Sequence, residues 1–470
     1  MVGKELLRSR RTGSVIALVL FAVVLLLLSG IGVLSLGQNT RIFSIRTAAE
    51  VSARSAADDG ITKALWQMNA YLKDGWSKHT LPYENNTELP NWGATYSYIV
   101  AKARDIAASG DGDLIDFVGR AYPPPTAPGA GDYVVRSIGR YHEAEKVIYA
   151  TLRLRGVGDT GVIVRESMIL KAGTEVDGRD SRDPTNLNPD VLVEIGTIST
   201  DPDKIVLNNG VTVNGNIQVG VGGDPATVVK DLGVEEPKPP MYPMTEEPEF
   251  PYIYPPVASA TFKYYDTNIQ VPKKEDDPNV YFDESMNGRY TMIDLNNKGD
   301  DSRTERLIIK SGTPEKWNNV VLHLTNTGTG TAQASISLGQ GCEIIVQKNA
   351  TLNLYVDGDI KSNTESGFNA GIFEENACSR LKLWGNWTEA TPTTGFSQDW
   401  QLNAKSEYFG QIYAPSASVQ VNNNGDLYGA FTAYDFTMMN GGALYYDGAL
   451  RVVNPDDPGV RFVLKRWYEQ

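Results

Sequence analysis

Cysteine and histidine are scarce in this 470-residue chain, which holds two of the first and three of the second. Two thiols are too few for a structural zinc site of the usual four-ligand kind. His79, His142 and His323 lie far apart, with no His-Glu-x-x-His, Cys-x-x-Cys or Gly-x-Ser-x-Gly arrangement, so the common hydrolase signatures are absent. Positive charge is scarce as well. The net charge is −14, the pI is near 4.9, and no Lys/Arg cluster follows the first dozen residues, which excludes a phosphate-backbone partner and with it nucleic acid. Glycoside hydrolysis would need a positioned carboxylate pair, and 57 acidic residues offer many fortuitous pairs with none singled out. The sequence therefore reads as non-enzymatic.

Charge of either sign is missing altogether from Val15 to Leu36. At about 1.5 Å per helical residue this run reaches roughly 33 Å, the thickness of a bilayer core, and predicts one membrane-spanning helix. A cleavable secretory signal fits less well, since its apolar part is normally about 7 to 15 residues and ends at an Ala-x-Ala-like site. Lys4, Arg8, Arg10 and Arg11 precede the run with only Glu5 opposing them. That basic flank keeps the first dozen residues in the cytoplasm and sends everything beyond about residue 38 outside.

The helical pattern continues past the membrane. Arg41 to Leu72 has no proline and sets Ile45, Ala49, Ser52, Ala53, Ala56, Ala57, Gly60, Ala64, Leu65 and Met68 on one stripe at helical spacing. Small residues allow close backbone approach, so this stripe suits packing against other rods or against the chain's own head.

Arg10-Arg11-Thr12-Gly13-Ser14 ahead of the apolar run, then Arg46-Thr47-Ala48-Ala49-Glu50 and an Ala-rich continuation, resembles the type IV pilin and pseudopilin superfamily, and within it the PilX-type branch. The resemblance implies a minor or tip subunit of a type IV pilus or a type II secretion pseudopilus. It implies cleavage by a prepilin peptidase between Gly13 and Ser14, and partnership with other pilin-like subunits and an inner-membrane assembly platform. It also implies a single-pass inner-membrane location with the bulk of the chain outside the cytoplasm. The family's usual fifth mature residue is Glu, whereas this chain has Leu18 there. An ionisable group at that depth is kept only for a function, so its absence points to a minor or tip role.

The expected fold class is α+β. Residues 1–13 form a basic leader, 14–72 the helix, 73–172 a head with a small antiparallel sheet, 173–190 a linker, and 191–470 a mainly β domain. In the head, Asp74–Trp92 reads as a loop and Ala94–Lys102, Asp132–Tyr141 and Lys146–Arg155 as strands. Val176–Asp190 is polar with Gly and Pro and marks a boundary. Beyond it, short β-branched runs alternate with Asn, Asp and Gly, as at Val213-Asn214-Gly215-Asn216-Ile217, Val356-Asp357-Gly358-Asp359-Ile360 and Asn424-Gly425-Asp426-Leu427. Such turns serve either tight hairpins or the corners of a parallel β-helix. Runs at intervals of about eight to ten residues from Phe409 to Asp447 favour the second. They also resemble the β-solenoid that follows PilX-type N-termini. Residues 234–257 carry eight prolines and read as an extended strap, and Arg461–Trp467 as a strand closing the solenoid.

Few residues suggest a ligand. Asp294, Asn296 and Glu305 sit at positions 1, 3 and 12 of an EF-hand-like loop, but Lys298 occupies position 5 and a strand precedes it, so calcium has only these weak candidates. Asp111, Asp113 and Asp116 match no ligand spacing. Asp224 with Pro225 reads as a capped turn rather than a phosphate loop. His323 reads as a half-buried strand residue. Cys342 and Cys378 face an oxidising compartment and allow one disulfide, with two buried thiols as the alternative. Aromatic residues on a solenoid face could stack on sugars or anchor a partner. A membrane-anchored adhesin, or a polysaccharide-active β-helix enzyme outside any filament, is the alternative function.

Overall fold

The structure is a computed structural model that describes residues 13–90, 92–102, 133–182, 191–271, 277–296, 304–327, 334–386, 397–403, 405–451 and 457–469. The basic flank at Lys4, Arg8, Arg10 and Arg11 and the cluster Asp111, Asp113 and Asp116 lie outside these residues. The class is α+β, with one long helix, a small sheet, and a large, mostly β unit whose strand pairings are parallel. Two compact units result, residues 1–154 with 462–470 and residues 155–461.

In the first unit, helix α1 runs from Gly13 to Asp74 without interruption, as the proline-free sequence requires. Strands β1 (Tyr83–Glu88), β2 (Thr95–Lys102), β3 (Tyr133–Tyr141) and β4 (Ala144–Arg155) form an antiparallel sheet in chain order. The C-terminal strand Arg461–Glu469 adds to its β4 edge. Two expectations are corrected here. The stretch Asp74–Trp92 is more than a loop, because Tyr83–Glu88 is a strand. The last strand belongs to this small sheet rather than to the larger β unit, held by Asn69, whose side chain accepts from the Phe462 amide at 2.7 Å and donates to its carbonyl at 3.1 Å.

In the second unit, from Asn279 to Leu402, strands pair in parallel with the third strand along the chain. Asn279–Phe282 pairs with Arg306–Ile309 and that with Glu343–Val346. Gly288–Tyr290 pairs with Asn318–Leu324, then Ala350–Val356, then Leu381–Gly385. Ile293–Leu295 pairs with Ile336–Leu338, then Ile360–Ser362, then Gln398–Leu402. Over this stretch the chain coils so that its parallel pairing recurs at every third short strand. Inward-facing residues such as Leu307, Ile309, Ile344, Val346, Leu352 and Leu354 fill the interior completely. Parallel pairing rules out hairpins at the Asn-Gly and Asp-Gly sites, which are corners, Asn424 taking a φ of 58°.

The coil is not wound in chain order. Asp426–Met438 pairs with Val162–Val164 and Met168–Leu170, and Ala443–Asp447 with Glu175–Arg179. From there it continues through Val193–Thr197 and Gly215–Val219 to Met241–Pro243 at one end. The chain enters the coil in the middle, winds to that end, and must return to the other end at Lys263–Tyr264. The register from Tyr242 to Tyr264 crosses about ten strand spacings of ~4.8 Å, or roughly 48 Å. An extended Pro-rich segment of about 22 residues reaches up to about 68 Å, enough to make the return. The strap therefore exists to join the two ends. The expected divisions at 172 and 190 are corrected to the 154/155 boundary, with Glu175–Arg179 a strand of the coil rather than linker. Turn residues misled there because this architecture puts them after every strand.

Candidate functional site

Helix α1 divides into two halves with different fates. Ala53, Ala56, Ala57, Gly60, Ile61, Ala64 and Met68 are buried beneath the small sheet. Gly60 abuts Ser137 and Tyr96, and Gly139 of β3 lies against the helix backbone. Gln67 on the next turn accepts the Tyr98 hydroxyl at 2.6 Å and donates to Glu84 at 3.1 Å. The small stripe thus serves close packing on the chain's own sheet, the second of the two partners the sequence allowed, in this half of the helix. From Val15 to Ile45 the helix is uncovered, Leu18 being 68% exposed and Leu26 73%. An apolar cylinder of that length is stable only in lipid or against other apolar helices. Gly13 and Ser14 open the helix at its uncovered end.

The cysteines are free and buried, which overturns the candidate disulfide. Cys342 precedes Glu343–Val346, and its backbone carbonyl accepts from Gly367 on the next strand of its stack, not from the neighbourhood of Cys378. Burial pushes its thiol up to about 11. Cys378 lies in the short 3-10 turn Ala377–Ser379, where burial and then the nearby Asp447 carboxylate, with which it hydrogen bonds, hold its thiol well above the ordinary range. Asp447 is itself fully buried and accepts the amides of Ser181 at 2.9 Å and Ala449 at 3.0 Å.

The calcium candidates do not converge. Asn296 turns its amide nitrogen toward Asp294, 2.6 Å away, and toward Ser337 at 2.7 Å, so a donor occupies the place a cation would need. Glu305 precedes the strand of a different stack. Among the described residues no group of three or more His, Cys, Asp or Glu could hold a metal ion. Asp224 caps the four-residue helix Pro225–Val228, accepting the Ala226 amide at 3.1 Å. His323 is a half-buried strand residue whose Nε2 lies 2.9 and 3.0 Å from the Asp357 carboxylate oxygens.

Sequence reasoning missed two features of the coil. Glu407 and Asp426 are register partners on one face, an aligned carboxylate pair of the kind a glycan-active enzyme would need. Both are engaged by backbone, Glu407 accepting the Gly371 amide at 2.8 Å and Asp426 that of Ala443 at 3.0 Å. Burial, with Glu407 and Glu175 nearby, raises the Asp426 carboxyl above its usual range. The second feature is the face under the strap, where Tyr355, Trp384 and Tyr413 stack in register and bury Ile253. Tyr413 donates to the Pro251 carbonyl and Tyr252 to Asn386, both at 2.8 Å. Loops of unequal length between strands hid both registers.

A family described as a domain of unknown function (DUF7305) matches residues 331–453, within the coil. No curated protein matches. Among solved structures, the competence-associated pilin ComZ from Thermus thermophilus is 12% identical over 90% of this chain and 97% of its own, at a TM-score of 0.29. An ice-binding protein from the Antarctic ascomycete Antarctomyces psychrotrophicus is 8% identical over 62% of this chain and 96% of its own, at 0.22. A Shewanella frigidimarina ice-binding protein is 10% identical over 62% and 95%, at 0.23. These scores are too low for any property to be carried across.

Proposed function

We propose that this chain is a membrane-anchored, pilin-like subunit that uses the uncovered half of α1 to enter a type IV pilus or secretion pseudopilus. In this reading residues 155–461 are a β-solenoid carried as cargo outside the cytoplasm. The observation that carries it is the division of one helix. The upper half is consumed by the head, while the lower half is an apolar surface left without a partner in its own chain. A helix needed only as an anchor could end at the membrane, whereas this one continues unbroken into the head.

Leu18 supports a minor or tip position, since no carboxylate is offered to a neighbour's amine inside the membrane. The size of the cargo agrees, because a unit of about 300 residues repeated at every filament position would crowd its copies. The subunit works by assembly and surface contact, with no chemistry assigned. Its partners are other pilin-like helices, the assembly platform, and a prepilin peptidase acting between Gly13 and Ser14. Mass spectrometry of the protein from its native membrane tests this, the expected N-terminus being Ser14. Retention of Met1 would contradict the reading and favour a stand-alone anchored adhesin.

A further inference from the structure

One face of the coil holds a cavity of about 390 Å³. Trp317, Asn319, Thr351, Lys382, Gln411 and Asp457 line it, and Trp384 forms part of its wall. The strands stack Asn319 against Thr351 and Lys382 against Gln411 in register, so the lining follows from the winding itself.

The chemistry of the lining is mixed in a particular way. Lys382 is 6% exposed and its Nζ lies 2.6 Å from Oδ1 of Asp457. An ammonium carries three donors and a carboxylate about four acceptor positions, so this contact by itself leaves both groups with capacity for further hydrogen bonds. A buried pair is tolerated only when that capacity is met. Thr351 donates to Oδ1 of Asn319 at 2.7 Å, leaving the Asn319 amide nitrogen as a donor at the rim. Trp317 is 38% exposed, a large flat apolar ring at the opening.

The ion pair sums to zero charge, and among the described residues no other charged side chain lines the cavity. An anion would meet Asp457 and a cation Lys382, while a wholly apolar ligand would strand both. A neutral polyhydroxylated ring satisfies all of these groups. Its hydroxyls both donate and accept, and the C–H face of a pyranose lies on an indole. The volume suits one or two such rings, toward the small end of ligand sites. We propose that this cavity is a binding site for a neutral saccharide. The inference concerns the coil alone and stands whether or not α1 enters a filament.

The test is calorimetric titration of the full-length chain, held in the sugar-free detergent lauryldimethylamine oxide, with cellotetraose, maltotetraose and tetra-N-acetylchitotetraose. Saturable one-site binding of at least one of them is expected. Trp317→Ala and Asn319→Ala should each weaken it roughly tenfold without changing the melting temperature. Trp317→Phe, which keeps a flat ring, should retain most of the affinity, and Trp92→Ala on the other unit should have no effect. Absence of saturable binding to all three sugars would overturn the proposal. So would binding that survives both alanine substitutions, or equal loss with Phe and Ala at 317.

Discussion

Gly139 of β3 and Ala53 of α1 meet backbone to backbone, so closely that a Cβ on Gly139 would stand 1.9 Å from the Ala53 carbonyl oxygen and 2.4 Å from the Ala57 amide nitrogen. The small residues of the helix stripe and the glycine opposite are two sides of one contact. Gly139→Ala forces the helix and sheet apart, and overpacking of this kind costs about 1–3 kcal/mol. The expected result is a melting temperature for the head unit lower by roughly 3–10 °C, measured by circular dichroism. An unchanged melt would mean the helix does not lie this close.

In the second half of the strap Ile253 sinks among Tyr355, Trp384 and Tyr413. Ile253→Ala removes most of that burial, at a cost of about 2–5 kcal/mol if the site does not collapse. Much of the cost falls on the strap itself, so chymotrypsin should cut after Tyr252, the one aromatic residue of this stretch not followed by proline, faster than in the wild type. Equal cleavage rates would show that the strap is held elsewhere.

Two carboxylates respond to pH with opposite sign. Lys238, followed by the amides of Val234 and Gly233, holds Asp231 down at about 2. Its contribution is present above the ordinary carboxylate pKa and is lost as pH falls toward 2, so Asp231→Asn should lower stability at pH 7 and matter little near pH 2. Asp426 is raised, chiefly by burial. Its neutral form is favoured in the fold, so its contribution is present at low pH and lost as pH rises through the raised pKa. Asp426→Asn should therefore raise the melting temperature at pH 7 relative to wild type and do so less at pH 4. Melts of both variants across pH 2–8 check the pair, and parallel behaviour would contradict it.

The buried thiols predict that a reductant leaves the melting temperature unchanged. Maleimide should label neither Cys342 nor Cys378 in the native protein within minutes and both after denaturation. A denatured, unreduced protein that resists labelling would mean that the two are bridged after all.

Much of the fold was legible where a residue pattern has one physical outcome. A charge-free run as long as a bilayer is thick, followed by small residues at helical spacing and no proline, can only be a long helix. Alternation marked Thr95–Lys102, Tyr133–Tyr141 and Ala144–Arg155. The β-branched runs with Asn-Gly and Asp-Gly between them marked the short strands of the parallel sheet and the turns between them. Tyr83–Glu88 was hidden because it is a polar edge strand, its side chains largely in solvent. The entry of the chain at the middle of the coil was hidden too. The strands Val162–Val164 and Asp426–Met438 pair across more than 260 residues, and nothing local to either records the other. The cysteine pairing failed for the same reason, since two thiols in a sequence carry no information about which stack each occupies. Lys382 and Asp457 escaped notice because an ion pair needs only proximity, which the winding supplies.

The central claim is that the uncovered half of α1 is a surface for other helices. Photo-crosslinking residues placed singly from Val15 to Ile45 in living cells test it most directly. The account predicts discrete crosslinked products containing a second pilin-like polypeptide, strongest on one side of the helix. Crosslinks to lipid alone at every position would contradict it.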